Sequence, residues 1–255
     1  MILHPQGVVD VAILRAADAT GIDSTFLLGA AKRESGYNPA ARAPTSSAEG
    51  LFQFIEQTWL ATLKRHGARH GYARYAELIV QGPDGRFHAT DPEARRAVMN
   101  LRLDPHAAAL MAGEMTADHA AYLRRRIGRE PTSGELYIAH FLGPDGTARL
   151  IQTVRITPDA DASAMFPAPS RANPTIFRRE GRGVTLAELY ANLSGAPASS
   201  PVRGQDAFLR YAAARRTEQR HRSAPAATGL GLRGSERADQ APILVSNGDS
   251  RRPRG

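Results

Sequence analysis

Cysteine is missing from all 255 residues, which excludes a disulfide framework, a Cys-ligated zinc site and a cysteine nucleophile. No stretch approaches 18 consecutive apolar residues, so no membrane-spanning helix is expected. Aromatic residues are sparse at 6%, with a single Trp, and the apolar–polar alternation of β-strands is scarce. The signatures GxGxxG, Walker A, GxSxG and HExxH do not occur. His66 and His70 stand at i, i+4, but two glycines fall in the same stretch and no Glu lies between them. They read as a polar helix end, and no metal or cofactor is expected. The first residues carry neither a basic start nor a long apolar run, so no conventional signal peptide is expected there.

Hydrophobic residues make up 42% of the chain, enough for the core of one ordinary domain with an appendage. The formal charge is +8, and its distribution matters more than its size. Residues 195–255 hold 11 Arg against 5 acidic residues, a net of +6, which leaves +2 for everything before them. Apolar periodicity fades in that stretch and Pro, Ser, Ala, Gly, Arg and Gln take over. The expected division is a body over residues 1–194 and a mostly disordered basic tail over 195–255, with one short helix at 205–216. Such a tail attracts polyanions in general. The body groups no Arg/Lys face with stacking aromatics, so no specific nucleic-acid partner is expected.

The body has a helical pattern throughout, and the expected class is all-α. A first helix is predicted over Val8–Asp18. A second, capped by Asp23 or Ser24, reaches Ser35. Residues 38–50 lack periodicity and read as a loop. Ile55, Trp59 and Leu63 form one buried stripe of a helix ending near Arg65. Residues 81–85 form a turn, followed by a small hairpin or coil. Asp91-Pro92 and Asp104-Pro105 each cap and start a helix, the second reaching Arg126 with its basic last turn. Thr132-Ser-Gly-Glu135 is a capping box whose helix ends at Gly143-Pro144. Pro158 opens a short helix through Met165, and Thr185-Leu-Ala-Glu188 is a second capping box.

One acidic residue stands out for chemistry. Leu27, Ala30 and Ala31 share a helix face, and Glu34 continues that stripe, while Lys32 and Arg33 fall off it. A carboxyl on the buried side of a helix end loses solvation, which raises its pKa toward what a general acid needs near neutral pH. The plain alternative is a buried Glu held by an arginine or a backbone amide. The following loop carries hydrogen-bonding and small groups, Ser46, Ser47, Gly50 and Gln53, beside the apolar faces of Phe52, Phe54 and Trp59. That mixture suits a sugar bearing N-acetyl groups; it also suits a loop packed on its own aromatics.

The stretch Arg33-Glu-Ser-Gly-Tyr-Asn-Pro39 resembles the catalytic-glutamate motif of the soluble lytic transglycosylases, relatives of goose-type lysozyme. Ser46-Ser-Ala-Glu-Gly-Leu-Phe-Gln53 is similar to the family's next motif, in order and at the expected separation. The third, an Ala-Tyr-Asn-like helix across the cleft, is matched best by Tyr137-Ile-Ala-His-Phe-Leu-Gly143, with His140 and Phe141 in place of the Tyr-Asn pair. The resemblance covers about residues 8–142 and implies a lysozyme-like helical domain that cuts peptidoglycan between N-acetylmuramic acid and N-acetylglucosamine. It implies Glu34 as acid and then base. It also implies substrate contacts from Ser35, Tyr37, Ser46, Ser47, Gly50, Leu51, Phe52, Gln53, Tyr137, His140 and Phe141.

Two other readings stay open on the sequence. Hydrolysis by a muramidase needs a second carboxylate; Glu114, inside an apolar helix face, and Glu49, beside the Gln53 loop, are the candidates. A non-catalytic peptidoglycan-binding protein could keep the same fold. The implied substrate lies outside the cytoplasmic membrane, so the periplasm or cell envelope is the expected location. A secretion or flagellar apparatus is one partner that would reconcile this with the missing signal peptide. A monomer is expected.

Overall fold

The computed structural model describes residues 5–43 and 47–195. Ser46 and the tail from 196 onward, including the helix expected at 205–216, lie outside the described residues. The described part is all-α, as its periodicity predicts. In chain order come α1 (Pro5–Thr20), α2 (Ser24–Ser35), α3 (Glu56–His66), α4 (Ala73–Glu77), β1 (Ile79–Gln81) and β2 (Phe87–Ala89). There follow α5 (Pro92–Asn100), α6 (Pro105–Ile127), α7 (Ser133–Val154), α8 (Ala162–Met165), α9 (Pro167–Ala172) and α10 (Pro174–Phe177). The last elements are β3 (Arg178–Arg179), β4 (Arg182–Gly183) and α11 (Leu186–Ser194).

Helix starts follow the capping chemistry written in the sequence. The Asp23 carboxylate accepts from Thr25 N at 2.7 Å and opens α2. Asp91 and Asp104 do the same for α5 and α6, each followed by a proline whose missing N–H costs nothing in the first turn. Thr132 with Glu135, and Thr185 with Glu188, form reciprocal capping boxes on α7 and α11.

Two expectations need correction. Gly143-Pro144 does not end the helical run. Gly143 takes φ 76° and ψ 161°, a conformation glycine adopts without a Cβ clash. Helix resumes behind it to Val154, and the Thr147 hydroxyl donates to the Gly143 carbonyl at 2.8 Å. The kink lies at Gly143, and Pro144 is tolerated because it stands at the first position of a new segment, where no donor is needed. Pro158 likewise does not open a helix; the turn at 162–165 is capped by Asp161 instead. The short hairpin of β3 and β4 has no alternating pattern to announce it.

Two apolar clusters hold the helices. In the first, Val9, Ala12, Ile13 and Ala16 of α1 join Ala107, Ala108, Met111 and Ala112 of α6, with Leu27, Trp59, Leu60 and Leu63. Trp59 is fully buried, and its indole N–H donates to Val98 O at 2.8 Å, so its polar atom is not stranded. In the second, Ile138, Phe141, Leu142 and Leu150 of α7 pack with Phe177, Leu186, Leu189 and Leu193. Each fully buried side chain of this size contributes roughly 1.5–3 kcal/mol. Leu123, Ala139 and Ala148 tie α6 to α7 between the clusters. With two faces of α7 committed to α6 and α11, Tyr137 and His140 remain on a third, which looks toward α2.

The α7 capping box also carries a pH dependence. The Glu135 carboxylate is fully buried and accepts from Arg129, Thr132 N and the Tyr190 hydroxyl. Burial pushes its pKa up, but the Arg129 bond, the Thr132 amide and the Tyr190 hydroxyl outweigh it and hold the pKa below the ordinary value. A depressed folded pKa means stability that is complete above the unfolded value and fades as pH falls. Thermal melts of the wild type should therefore drop as pH falls below about 4.3. Glu135→Gln should melt lower near neutrality and show a flatter acid dependence. Parallel curves would remove Glu135 from the acid response.

Candidate active site

Glu34 sits in the last turn of α2 and is 3% exposed. The helix stops one residue later, at Ser35. Gly36 caps it in the left-handed region, and Tyr37 follows at φ 66°. A non-glycine residue there costs on the order of 1–3 kcal/mol, a strain that surrounding structure must impose. Gln53, at φ 47°, is a second such residue. Two of the three described non-glycine residues with positive φ thus fall in the two sequence motifs.

The loop after α2 folds back on the helix end through specific bonds. The Ser35 hydroxyl donates to Leu51 O at 2.8 Å and to Ala31 O at 3.2 Å. Gln53 is buried, and its amide donates to Gly50 O at 2.8 Å and Ala41 O at 3.1 Å. Gly50 comes so close to the chain that a Cβ on it would lie 2.2 Å from Arg102 O, at a φ of 83°. Arg102 is the anchor of this loop. It is 4% exposed, and its guanidinium donates to Ser47 O at 2.7 Å, Phe54 O at 2.9 Å and Glu49 Oε2 at 2.6 Å. Burial lowers the guanidinium's pKa, and Glu49 and then Glu56 raise it again.

A cleft of about 390 Å³ opens beside Glu34. α2 lines it with Phe26, Ala30, Arg33 and Glu34, α7 with Tyr137 and His140, and the end of α11 closes one side. His140 Nε2 lies 3.5 Å from Glu34 Oε1. The Arg33 guanidinium stacks over the Tyr137 ring, 3.8 Å from its centre, a cation–π contact that brings Arg33 back to the cleft its helix position pointed it away from. Burial pushes the Tyr137 hydroxyl's pKa up; Arg33 works against this and Glu34 with it. Behind His140 stands His119 of α6, whose pKa is pushed down to about 4, first by burial and then by the nearby His140.

Of the sequence-nominated residues, the structure brings Glu34, Tyr137 and His140 together around this cleft. Ser35, Gly50 and Gln53 brace the loop behind it. Ser47 hydrogen-bonds the Arg102 side chain through its carbonyl, and its hydroxyl accepts from Glu56 N at the start of α3. Leu51 and Phe52 are buried in the first apolar cluster and Phe141 in the second. Tyr37 packs partly buried against the first. Glu49 is engaged by Arg42 at 3.1 Å as well as by Arg102. Glu114, 4% exposed, meets His66 at 3.1 Å, His70 at 2.6 Å and Arg69 at 3.1 Å. The two histidines weighed as metal ligands therefore both face one carboxylate.

A larger cavity, about 630 Å³, lies between α3, the β1–β2 turn and α6, and does not include Glu34. Its charged groups are partly paired, Arg65 with Asp118 at 2.7 Å. Its carboxylates, Asp84 and Asp118, are 45% and 36% exposed, whereas the smaller cleft holds a buried carboxyl beside an imidazole. Arg33, Arg102 and His119 are the residues that sequence reasoning passed over. For Arg102 a signal existed, a lone arginine between Leu101 and Leu103; for Arg33 and His119 there was none.

Residues 12–77, from α1 through α4, match the family model of the transglycosylase SLT domain. The matched stretch contains Glu34 and the whole loop to Gln53. No helix of the described residues is long and apolar enough to cross a membrane. The resemblance drawn from the two motifs thus holds over residues 12–77, which are similar to the SLT domain of the lytic transglycosylase, lysozyme-like family.

Proposed function

We propose that this chain is a lytic transglycosylase that cleaves the β-1,4 bond between N-acetylmuramic acid and N-acetylglucosamine, with Glu34 as its acid and base. The observation that carries this reading is the Glu34 carboxyl, buried at a helix end and opening on a cleft within the family-matched segment. The protonated carboxyl gives its proton to the bridging oxygen as the C1–O bond breaks. The carbonyl of the muramoyl 2-acetamido group stabilises the cationic C1. The sugar's own C6 hydroxyl then bonds to C1, and its proton returns to the Glu34 carboxylate. No water enters, and the product is a 1,6-anhydro-N-acetylmuramoyl end. Holding nucleophile and electrophile in one sugar gives the step an intramolecular advantage.

The surroundings of the other acids support a single-carboxylate mechanism. Among the described residues lining the cleft, Glu34 is the one carboxylate. Glu114 and Glu49, the candidates for a second, are occupied by His66, His70 and Arg69 and by Arg42 and Arg102. The reading includes action as a monomer in the periplasm or cell envelope, delivered by a secretion or flagellar apparatus. The basic stretch from 195 is read as a separate segment that holds the anionic wall. Incubating purified sacculi with the full chain tests the activity: soluble muropeptides should accumulate. Sacculi that bind the folded protein and stay intact would point to the non-catalytic alternative.

A further inference from the structure

We infer that His140 is a positioning residue for Glu34, holding its carboxylate through the half of the cycle in which the proton is away; this rests on the function proposed above. The two side chains come from different helices and meet in a dry place. Glu34 is 3% exposed on α2, the His140 side chain is 13% exposed on α7, and Nε2 stands 3.5 Å from Oε1. That nitrogen has two uses. A shift of a few tenths of an ångström lets it accept a hydrogen bond when Glu34 is protonated and donate one when Glu34 is ionised. The second bond is charge-assisted and about twice as strong. A charged imidazole would act in the same direction. Removing the ring nitrogens therefore removes a contact that is stronger to the carboxylate than to the acid.

Other groups around the pair fix how far this goes. From α2, Arg33 is turned onto the Tyr137 ring. From α7, Tyr137 itself stays protonated, its pKa raised by burial. From α6, His119 faces His140, with Asp118 beside it bonded to His66 and Arg65. His119 is uncharged at neutral pH, so it adds no positive charge behind His140. The Ser194–Gly195 edge contributes no ionisable side chain. Among the described residues lining the cleft, His140 is the one imidazole beside Glu34. The position is one where the resemblance expects tyrosine, whose hydroxyl cannot take up a proton near neutral pH.

The test is the pH–rate profile of muropeptide release by the full chain. Its alkaline limb reports loss of the Glu34 proton. His140→Phe keeps a ring there and removes both ring nitrogens. The limb should move to higher pH by half a unit or more, with a lower plateau and an unchanged circular dichroism spectrum. His140→Gln, which restores a neutral N–H donor, should bring the limb back toward the wild type. A merely structural histidine would lower the rate without moving the limb, so an unmoved limb in folded His140→Phe overturns the inference. Should His140→Phe fail to fold, the glutamine variant decides through the reverse comparison with His140→Leu. Loss of the parent reading shows separately, as cleavage that persists in Glu34→Gln.

Discussion

Glu34→Gln should lower cleavage of purified peptidoglycan by about 10²-fold or more. The amide has nearly the carboxyl's shape, so it can still fill the space at the end of α2 and meet His140. What it lacks is a proton to give to the leaving oxygen and a base to take one from the C6 hydroxyl. Neither function has a substitute among the described residues of the cleft, where no other carboxylate lies. Far-UV circular dichroism and melting temperature should stay close to those of the wild type. Glu114→Gln makes the useful contrast. Its carboxylate is surrounded by His66, His70 and Arg69 away from the cleft, so its loss should appear in stability and not in the chemical step. Turbidity clearance within a few-fold of normal in the Glu34 variant would end its candidacy as the acid.

Arg102→Ala should destabilise the fold by about 3–5 kcal/mol, the usual result of stripping one partner from a buried charged network. Four acceptors lose an Arg102 donor at once: Met99 O, Ser47 O, Phe54 O and the Glu49 carboxylate. Glu49 keeps Arg42, which is largely exposed and cannot replace a buried guanidinium. Because Gly50 packs on the Arg102 backbone and Gln53 braces the same loop, cleavage should fall along with stability. Arg102→Lys should fall between the two, since one ammonium cannot present the planar fork to all four acceptors. A denaturant midpoint equal to wild type for the alanine variant would mean that the loop stands without its anchor.

How much of this was legible beforehand divides along physical lines. Capping is local chemistry, so Asp23, Asp91, Asp104, Thr132 and Thr185 announced their helices within a residue or so. Glu34 was legible because its place on an apolar stripe is a matter of 3.6-residue periodicity. The resumption of α7 after Gly143 was not, because a glycine followed by proline is written the same way whether the chain leaves or restarts a helix. Arg102 acts through partners 48 to 55 positions away and His119 beside His140 of another helix, and no spacing rule reaches that far. The loop motif could be seen from the sequence, but not what its residues do. Ser35 and Gln53 spend their hydrogen bonds on backbone carbonyls of the loop itself, which only the folded path of the chain reveals. Arg33 was misdirected by its helix position, since a long side chain can bend over a neighbouring ring that the wheel does not show.

The central claim is that one buried carboxyl does both halves of the reaction and water takes no part. Mass spectrometry of the muropeptides released by the full chain from purified sacculi measures this at the atoms concerned. Each cleavage should leave a 1,6-anhydro-N-acetylmuramoyl end, lighter by one water than the hydrolysed sugar. Reducing N-acetylmuramic acid ends throughout the digest would contradict the account and send the search for a second carboxylate back to Glu114 and Glu49.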